Sequence, residues 1–124
     1  QDLGLSDKVI FTGVRSDVDE LMQGMDVFLF PSLYEGLPVT MVEAQASGLE
    51  CIISDKVPLE CKMTENVEVV KLEESPQNWA EEVLKYEKYE RQNTKEEIVK
   101  ANFDIKANAK YLQEFYLNKC QLED

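Results

Sequence analysis

Between Asp26 and Glu50 the chain carries only two charged side chains, Glu35 and Glu43, eight positions apart. That is sparse for 124 residues of which 25 are acidic. Glu35 stands in Tyr34-Glu35-Gly36-Leu37-Pro38, and Glu43 lies inside the apolar stretch that follows. A carboxylate accepts hydrogen bonds from hydroxyls and suits a cis-diol, as acidic residues do with ribose in dinucleotide sites. Pro38 fits a first helical position and Gly48 a helix end, so a helix is expected over 38–48. Glu35 then sits just before a helix N-terminus. Glu43 sits in the second turn, from which a side chain leans back toward the same end. The free N–H groups and the dipole of that end favour an anion such as a pyrophosphate. Pro38 has no N–H, so the donors would be the amides of Gly36, Leu37, Val39 and Thr40. Gly36 allows close approach of backbone to a bound group. Thr40, Glu43 and Ser47 share one face of this helix, and Val39, Val42 and Ala46 another. A solvated stripe on an amphipathic helix shows the same spacing, so the carboxylate pair gains meaning only from its frame.

The elements around the pair alternate. "KVIFTG" (8–13) and "DVFLFP" (26–31) are short, apolar and closed by Gly or Pro. "CIIS" (51–54) and "VEVVKL" (67–72) complete four candidate strands of the kind buried on both faces. Between and after them lie helical patterns. One spans 16–24, with Ser16 as N-cap and Gly24 as stop. Another spans 75–89, opened by Ser75-Pro76, with Trp79, Val83 and Tyr86 as a core-facing stripe. A third lies near 94–101, and the last runs from about 104 to 119. Strand and helix in alternation predict a parallel α/β sheet, with any ligand at the carboxyl ends of its strands. The tract Glu87–Glu97 reads as a solvated connection.

Composition narrows the function classes. At 44% hydrophobic and 31% charged the chain reads as one globular domain. A net charge of −12 repels phosphate backbones and anionic membranes, which argues against nucleic acid as a partner. The absence of histidine excludes a His/Cys zinc site and a Ser-His-Asp triad within the chain. Cys51, Cys61 and Cys120 have no metal-like spacing and read as reduced cytosolic thiols, with Cys51 an inert small hydrophobe and Cys120 exposed. No apolar run is long enough to span a bilayer, and no signal peptide is visible.

The stretch "DVFLFPSLYEGLPVTMVEAQASGLECIISD" resembles the donor-site signature of retaining glycosyltransferases of family 4, whose motif is Glu, seven residues, Glu. "VIFTGVRSDVDELMQGMDVFLFPS" and the stretch through "NWAEEVL" are similar to that family too, so the likeness covers nearly the whole chain. "GLECIISDKVPLE" resembles bacterial exopolysaccharide and capsule-type members. The resemblance implies a two-Rossmann-domain enzyme that transfers sugar, with retention, from a nucleotide-sugar to a glycan or lipid-linked acceptor. It implies no metal and no cofactor, the donor being a substrate and UDP-linked. Glu35 would contact hydroxyls of the transferred sugar and Glu43 the ribose. The amides from Gly36 to Thr40 would hold the diphosphate. Gly13, Val14 and Arg15 would lie near the base, and Ser32 near the nucleotide. Glu50 replaces a proline usual in the family, which is expected to alter a turn.

By the same resemblance, the chain is the C-terminal part of the nucleotide-sugar-binding domain. The acceptor-reading N-terminal domain, and an Arg/Lys pair that neutralises the leaving diphosphate, have no counterpart in it. Lys8 and Arg15 belong to other motifs. The expected four strands would be numbers 3, 4, 5 and 6 of a 3-2-1-4-5-6 order, so either "KVIFTG" moves beside "DVFLFP" or another chain fills the gap. The isolated chain is expected to lack transferase activity and to self-associate, or to fold its last helix onto its own sheet. The parent is expected in the cytoplasm, at the inner face of the membrane. A nucleotide-sugar 2-epimerase and a non-catalytic nucleotide- or partner-binding module are the competing readings.

Overall fold

The computed structural model describes residues 3–120. Three parallel strands form one sheet in the order β1 (Val27–Phe30), β2 (Glu50–Ser54), β3 (Val67–Val70). The register sets Leu29 beside Ile52 and Ile53 beside Val69. β2 is central, and all five of its residues are buried, the apolar Cys51, Ile52 and Ile53 together with Glu50 and Ser54 at its two ends. α1 (Val18–Gln23) precedes β1, and α2 (Val39–Ala46) crosses from β1 to β2. A short 3-10 turn, Leu59–Cys61, lies between β2 and β3. α3 (Pro76–Leu84), α4 (Lys95–Lys100) and α5 (Ile105–Cys120) follow.

Alternation along the strands divides the core in two. Cys51 and Ile53 face Met22, Met41, Ala44 and Leu49 from the side of α1 and α2. Ile52 faces the other way, toward Val70 and Trp79, with Val83 and Tyr86 packed against them. The expected Trp79 stripe is therefore core. On α2 the buried residues are Met41, Ala44 and Gln45, at i, i+3, i+4, while Val39 and Ala46 are exposed.

Local chemistry explains the helix limits. At α3, the Ser75 hydroxyl accepts from the Asn78 amide at 3.1 Å, and Pro76 takes the first turn. At α1 the cap is Asp17 and not Ser16. Both Asp17 carboxylate oxygens are held by Arg15, so no side chain caps that helix. Pro38 is the N-cap of α2, one residue before its expected place, and its carbonyl accepts from Met41 and Val42. At α5 the Asp104 carboxylate accepts from the Ala107 amide at 2.8 Å.

Two expectations about strands and turns are corrected. The segment 8–13 is not a strand and pairs with none of the described ones. Lys8 and Val9 donate back to Leu5 in a turn, and Ile10 and Phe11 are 85% and 94% exposed. An apolar run becomes a strand only where an open ladder and a buried face receive it. β1 therefore stays an edge, and Leu29 is exposed on it. Beside it lies an apolar groove of about 650 Å³ lined by Leu29, Pro31, Leu72, Trp79, Val83 and Leu84. Glu50 makes no turn. It is the first residue of β2, opposite Val27, and is buried. Burial pushes its carboxyl up from the ordinary 4.5, against a smaller opposing pull from Tyr86.

The connection from α3 to α4 is more than a solvated tract. The Arg91 guanidinium donates to the carbonyls of Met22, Gln23, Met25 and Ser47, closing the C-terminal ends of α1 and α2. The Tyr89 hydroxyl donates to the Gly48 carbonyl at 3.1 Å. Gly48 has φ +70°, and a Cβ there would meet the Gln92 carbonyl oxygen at 2.2 Å. Only glycine combines that φ with that approach.

Candidate functional site

The site is built on the exit of β1. Phe30 ends the strand, Pro31 and Ser32 leave the sheet, and Glu35 and Gly36 lead into Pro38 and α2. Parallel strands put all their carboxyl ends on one edge, so β1, β2 and β3 open onto the same side as this turn. Glu35 is half-buried, and its Oε1 accepts from the Ser32 hydroxyl at 2.7 Å. The remaining carboxylate oxygen receives no bond among the described residues. Ser32 itself is anchored from β2, where the buried Ser54 hydroxyl donates to its carbonyl.

Val39 and Thr40 are the first two residues of α2, whose amides have no acceptor within the helix. Both side chains are exposed, as are Gly36 and Leu37, so this end is open to a ligand. Glu43, one turn further, is exposed with an unengaged carboxylate among the described residues. The turn thus offers free amides, one tethered carboxylate and one free one, a set that can meet an anion and neighbouring hydroxyls together.

Ser32, Glu35, Gly36, Leu37, Val39, Thr40 and Glu43 are brought onto this single turn and helix start. Gly13, Val14 and Arg15 are not joined to it by any hydrogen bond or ion pair among the described residues. They belong to the unpaired segment before α1. Gly13 has φ +64°, Val14 is exposed, and Arg15 is engaged with Asp17. No three His, Cys, Asp or Glu side chains gather in a metal-binding arrangement among the described residues.

Beneath the turn lie residues whose part the sequence did not announce. Gln45 is fully buried and uses its whole amide. Its Nε2 donates to the carbonyls of Met41 and Cys61, and its Oε1 accepts from the amides of Met63 and Thr64 and the Thr64 hydroxyl. Its backbone carbonyl accepts from Thr94 at 2.6 Å. The side chain thereby ties α2 to the β2–β3 connection, and the backbone carbonyl of the same residue ties it to the start of α4. The Cys61 thiol lies 4.0 Å from the Gly36 carbonyl, and burial first, then Glu60 and Glu35, push that thiol up. A glutamine in an apolar helix is the signal that could have marked this network, since a buried amide persists only when satisfied. At the ends of β2 and β3, Asp55 accepts from the Leu72 amide, which holds its carboxyl below the ordinary range, aided by Lys56. Lys56 in turn pairs with Asp55 and Glu73.

The chain is similar in sequence to known proteins. The protein named "Putative glycosyltransferase EpsF" of Bacillus subtilis (strain 168) is 40% identical over 90% of this chain and 30% of its own length. The UDP-Gal:alpha-D-GlcNAc-diphosphoundecaprenol alpha-1,3-galactosyltransferase of Escherichia coli is 41% identical over 44% of this chain and 14% of its own. The N,N'-diacetylbacillosaminyl-diphospho-undecaprenol alpha-1,3-N-acetylgalactosaminyltransferase of Campylobacter jejuni subsp. jejuni serotype O:2 is 46% identical over 40% of this chain and 13% of its own. The chain spans less than a third of the length of these relatives. The family described as Glycosyl transferases group 1 matches residues 1–104, which take in the parallel sheet, the β1–α2 turn and both carboxylates, and the chain belongs to that family.

Proposed function

We propose that this chain forms part of the donor site of a retaining glycosyltransferase, which moves a sugar from a UDP-linked donor to a glycan or lipid-linked acceptor in polysaccharide biosynthesis. The observation that supports the reading best is the β1–α2 turn, where Glu35 is tethered by Ser32 beside the open amides of α2, with Glu43 one turn beyond. A nucleotide diphosphate sugar carries an anion flanked by two sets of hydroxyls. On this reading the diphosphate meets the amides of Gly36, Leu37, Val39 and Thr40. Glu35 accepts from hydroxyls of the transferred sugar, and Glu43 from the ribose. Ser32 lies beside the nucleotide, and Gly13, Val14 and Arg15 near the base. On this reading the donor is a substrate, and no metal or further cofactor takes part. The relatives' names supply the substrate classes, a UDP-sugar in one and diphosphoundecaprenol-linked sugars in two. On this reading the full-length protein works in the cytoplasm, at the inner face of the membrane.

The test is a transfer assay with the full-length protein against a panel of nucleotide-sugars, with the anomeric configuration of the product read by NMR. A charge-assisted hydrogen bond is worth about 1.5–3 kcal/mol, so Glu35→Ala should lower kcat about 10- to 100-fold. Glu43→Ala should chiefly raise the donor KM, by about 10-fold. Near-normal transfer by both variants, or inversion in the product, would sink the assignment.

A further inference from the structure

We propose that Ser54 is a positioning residue for Glu35, an inference that rests on the reading of Glu35 just given. Ser54 is the last residue of β2 and is fully buried, in a strand whose preceding positions are Cys51, Ile52 and Ile53. A hydroxyl in such a place costs stability unless both its donor and its acceptor are used. Both are. Ser54 Oγ donates to the Ser32 carbonyl across the exit of β1 and accepts from the Lys56 amide at 3.3 Å.

Ser32 is the next link. With its carbonyl fixed by Ser54, its hydroxyl is set at 2.7 Å from Glu35 Oε1 and 3.3 Å from the Tyr34 carbonyl. One proton serves one strong bond, and the shorter distance and the charge favour the carboxylate. The path from β2 to Glu35 is therefore continuous, and every link is a hydrogen bond. The neighbouring residue, Asp55, reaches the opposite way to the Leu72 amide at 2.9 Å. Consecutive side chains at the end of the central strand thus tie it to both neighbours. The Asp55 tie leads away from the site, and the Ser54 tie leads into it. A free glutamate samples many rotamers, and one held in place before the donor arrives loses less on reaching the transition state. Ser54→Ala removes the first link and leaves the Ser32 carbonyl unpaired and the turn free to rotate. Its effect belongs in kcat, because Glu35 remains present and the amides that hold the diphosphate lie beyond it.

The experiment uses the full-length protein with Ser54→Ala, Ser32→Ala, Glu35→Ala and the Ser54→Ala/Glu35→Ala double variant. Ser54→Ala should lower kcat about 10-fold with the donor KM within about 2-fold. Ser32→Ala, which cuts the middle link at a half-buried position, should lower kcat to a similar extent, with donor KM read apart because Ser32 also lies beside the nucleotide, and its kcat carries the test if Ser54→Ala fails to fold. In the Glu35→Ala background Ser54→Ala should cost nothing more, since the residue it positions is gone. Hydrogen–deuterium exchange should rise in residues 32–37 of Ser54→Ala and stay unchanged in α2. Full kcat with unchanged exchange in Ser54→Ala, or a loss that adds fully to that of Glu35→Ala, overturns the inference. A kcat loss in Glu35→Ala with none in Ser54→Ala overturns this inference alone. Near-normal transfer by Glu35→Ala overturns the reading beneath it as well.

Discussion

Two buried side chains, Gln45 and Glu50, show what single residues contribute here. Gln45 satisfies donors and acceptors on three separate segments. Gln45→Leu keeps the volume but strands the Met63 and Thr64 amides and the Cys61 carbonyl in the interior. Each stranded group costs about 1–3 kcal/mol, so the variant should lose about 3 kcal/mol or more in urea denaturation. A loss under about 1 kcal/mol would mean that water reaches those groups. Glu50 is a liability of the opposite kind. Its carboxyl is raised in the folded chain, so the folded state binds more protons than the unfolded one just above the ordinary 4.5. Stability then falls as pH climbs from that value through the raised one. Glu50→Gln should melt higher than wild type at pH 7, and the gain should vanish below the ordinary carboxylate value. A constant difference at every pH would exclude burial of the charge as its cause. Cys51 illustrates the same physics in a thiol, pushed up to about 12 by burial. Alkylation of native protein followed by peptide mass spectrometry should leave Cys51 and Cys61 unmodified until unfolding. The side chain of Cys120, expected to be exposed, lies outside the described residues. Glu35 and Glu43 were legible because they break an uncharged run. Gln45 and Ser54 were not, because their roles depend on which backbone groups the fold brings across from Cys61, Thr64 and Ser32.

At the scale of elements, the readable features were those with local causes. The unbroken run Cys51–Ser54 announced a doubly buried strand, and Ser75-Pro76 announced the start of α3. Ser75→Ala should cost about 1 kcal/mol, the usual worth of a serine cap, and thermal unfolding should show it. What failed was non-local. "KVIFTG" has the composition of a strand, but composition does not say whether a neighbour pairs with it; it pairs with none of the described strands and leaves Ile10 and Phe11 in solvent. The connection 87–97 looks solvated because Tyr89, Arg91 and Thr94 sit among charges, yet all three reach backbone in other elements. A guanidinium that closes two helices at once cannot be recognised from its neighbours in sequence. Arg91→Ala should therefore destabilise by more than a surface substitution, about 2 kcal/mol, since charged hydrogen bonds to several carbonyls are lost.

The whole molecule has apolar surface that its own elements leave uncovered. β1 keeps a free edge beside the groove at Leu29 and Trp79. α5 buries none of its described residues, and Tyr111, Leu112, Phe115 and Tyr116 lie exposed along it. Tyr111 and Phe115 stack with ring centroids 6.5 Å apart, and Phe115 meets Tyr116 at 5.5 Å. Of the two expected outcomes, self-association or packing of this helix onto its own sheet, the exposed α5 does not show the second. Burying an aromatic side chain is worth about 1.5–3 kcal/mol, so three or four together can drive association. Sedimentation velocity of this chain should show self-association, and Phe115→Ser should weaken it. A monomer at high concentration, unchanged by the substitution, would show that the face is too mobile to pair. No described helix is long and apolar enough to cross a membrane.

Gly48 links these scales, and its consequence is genetic. Every single-base change of a glycine codon that yields another residue adds a side chain, and position 48 has neither the dihedral nor the space to accept one. The spot lies past the C-terminal end of α2, whose other end carries the β1–α2 turn, yet it should behave in a mutational scan like an active-site position. Its losses would fall in protein abundance, with the surviving molecules keeping normal specific activity. Selection on this gene would then hold glycine fixed at this position, the third base of its codon free to vary, for the sake of a backbone carbonyl at Gln92.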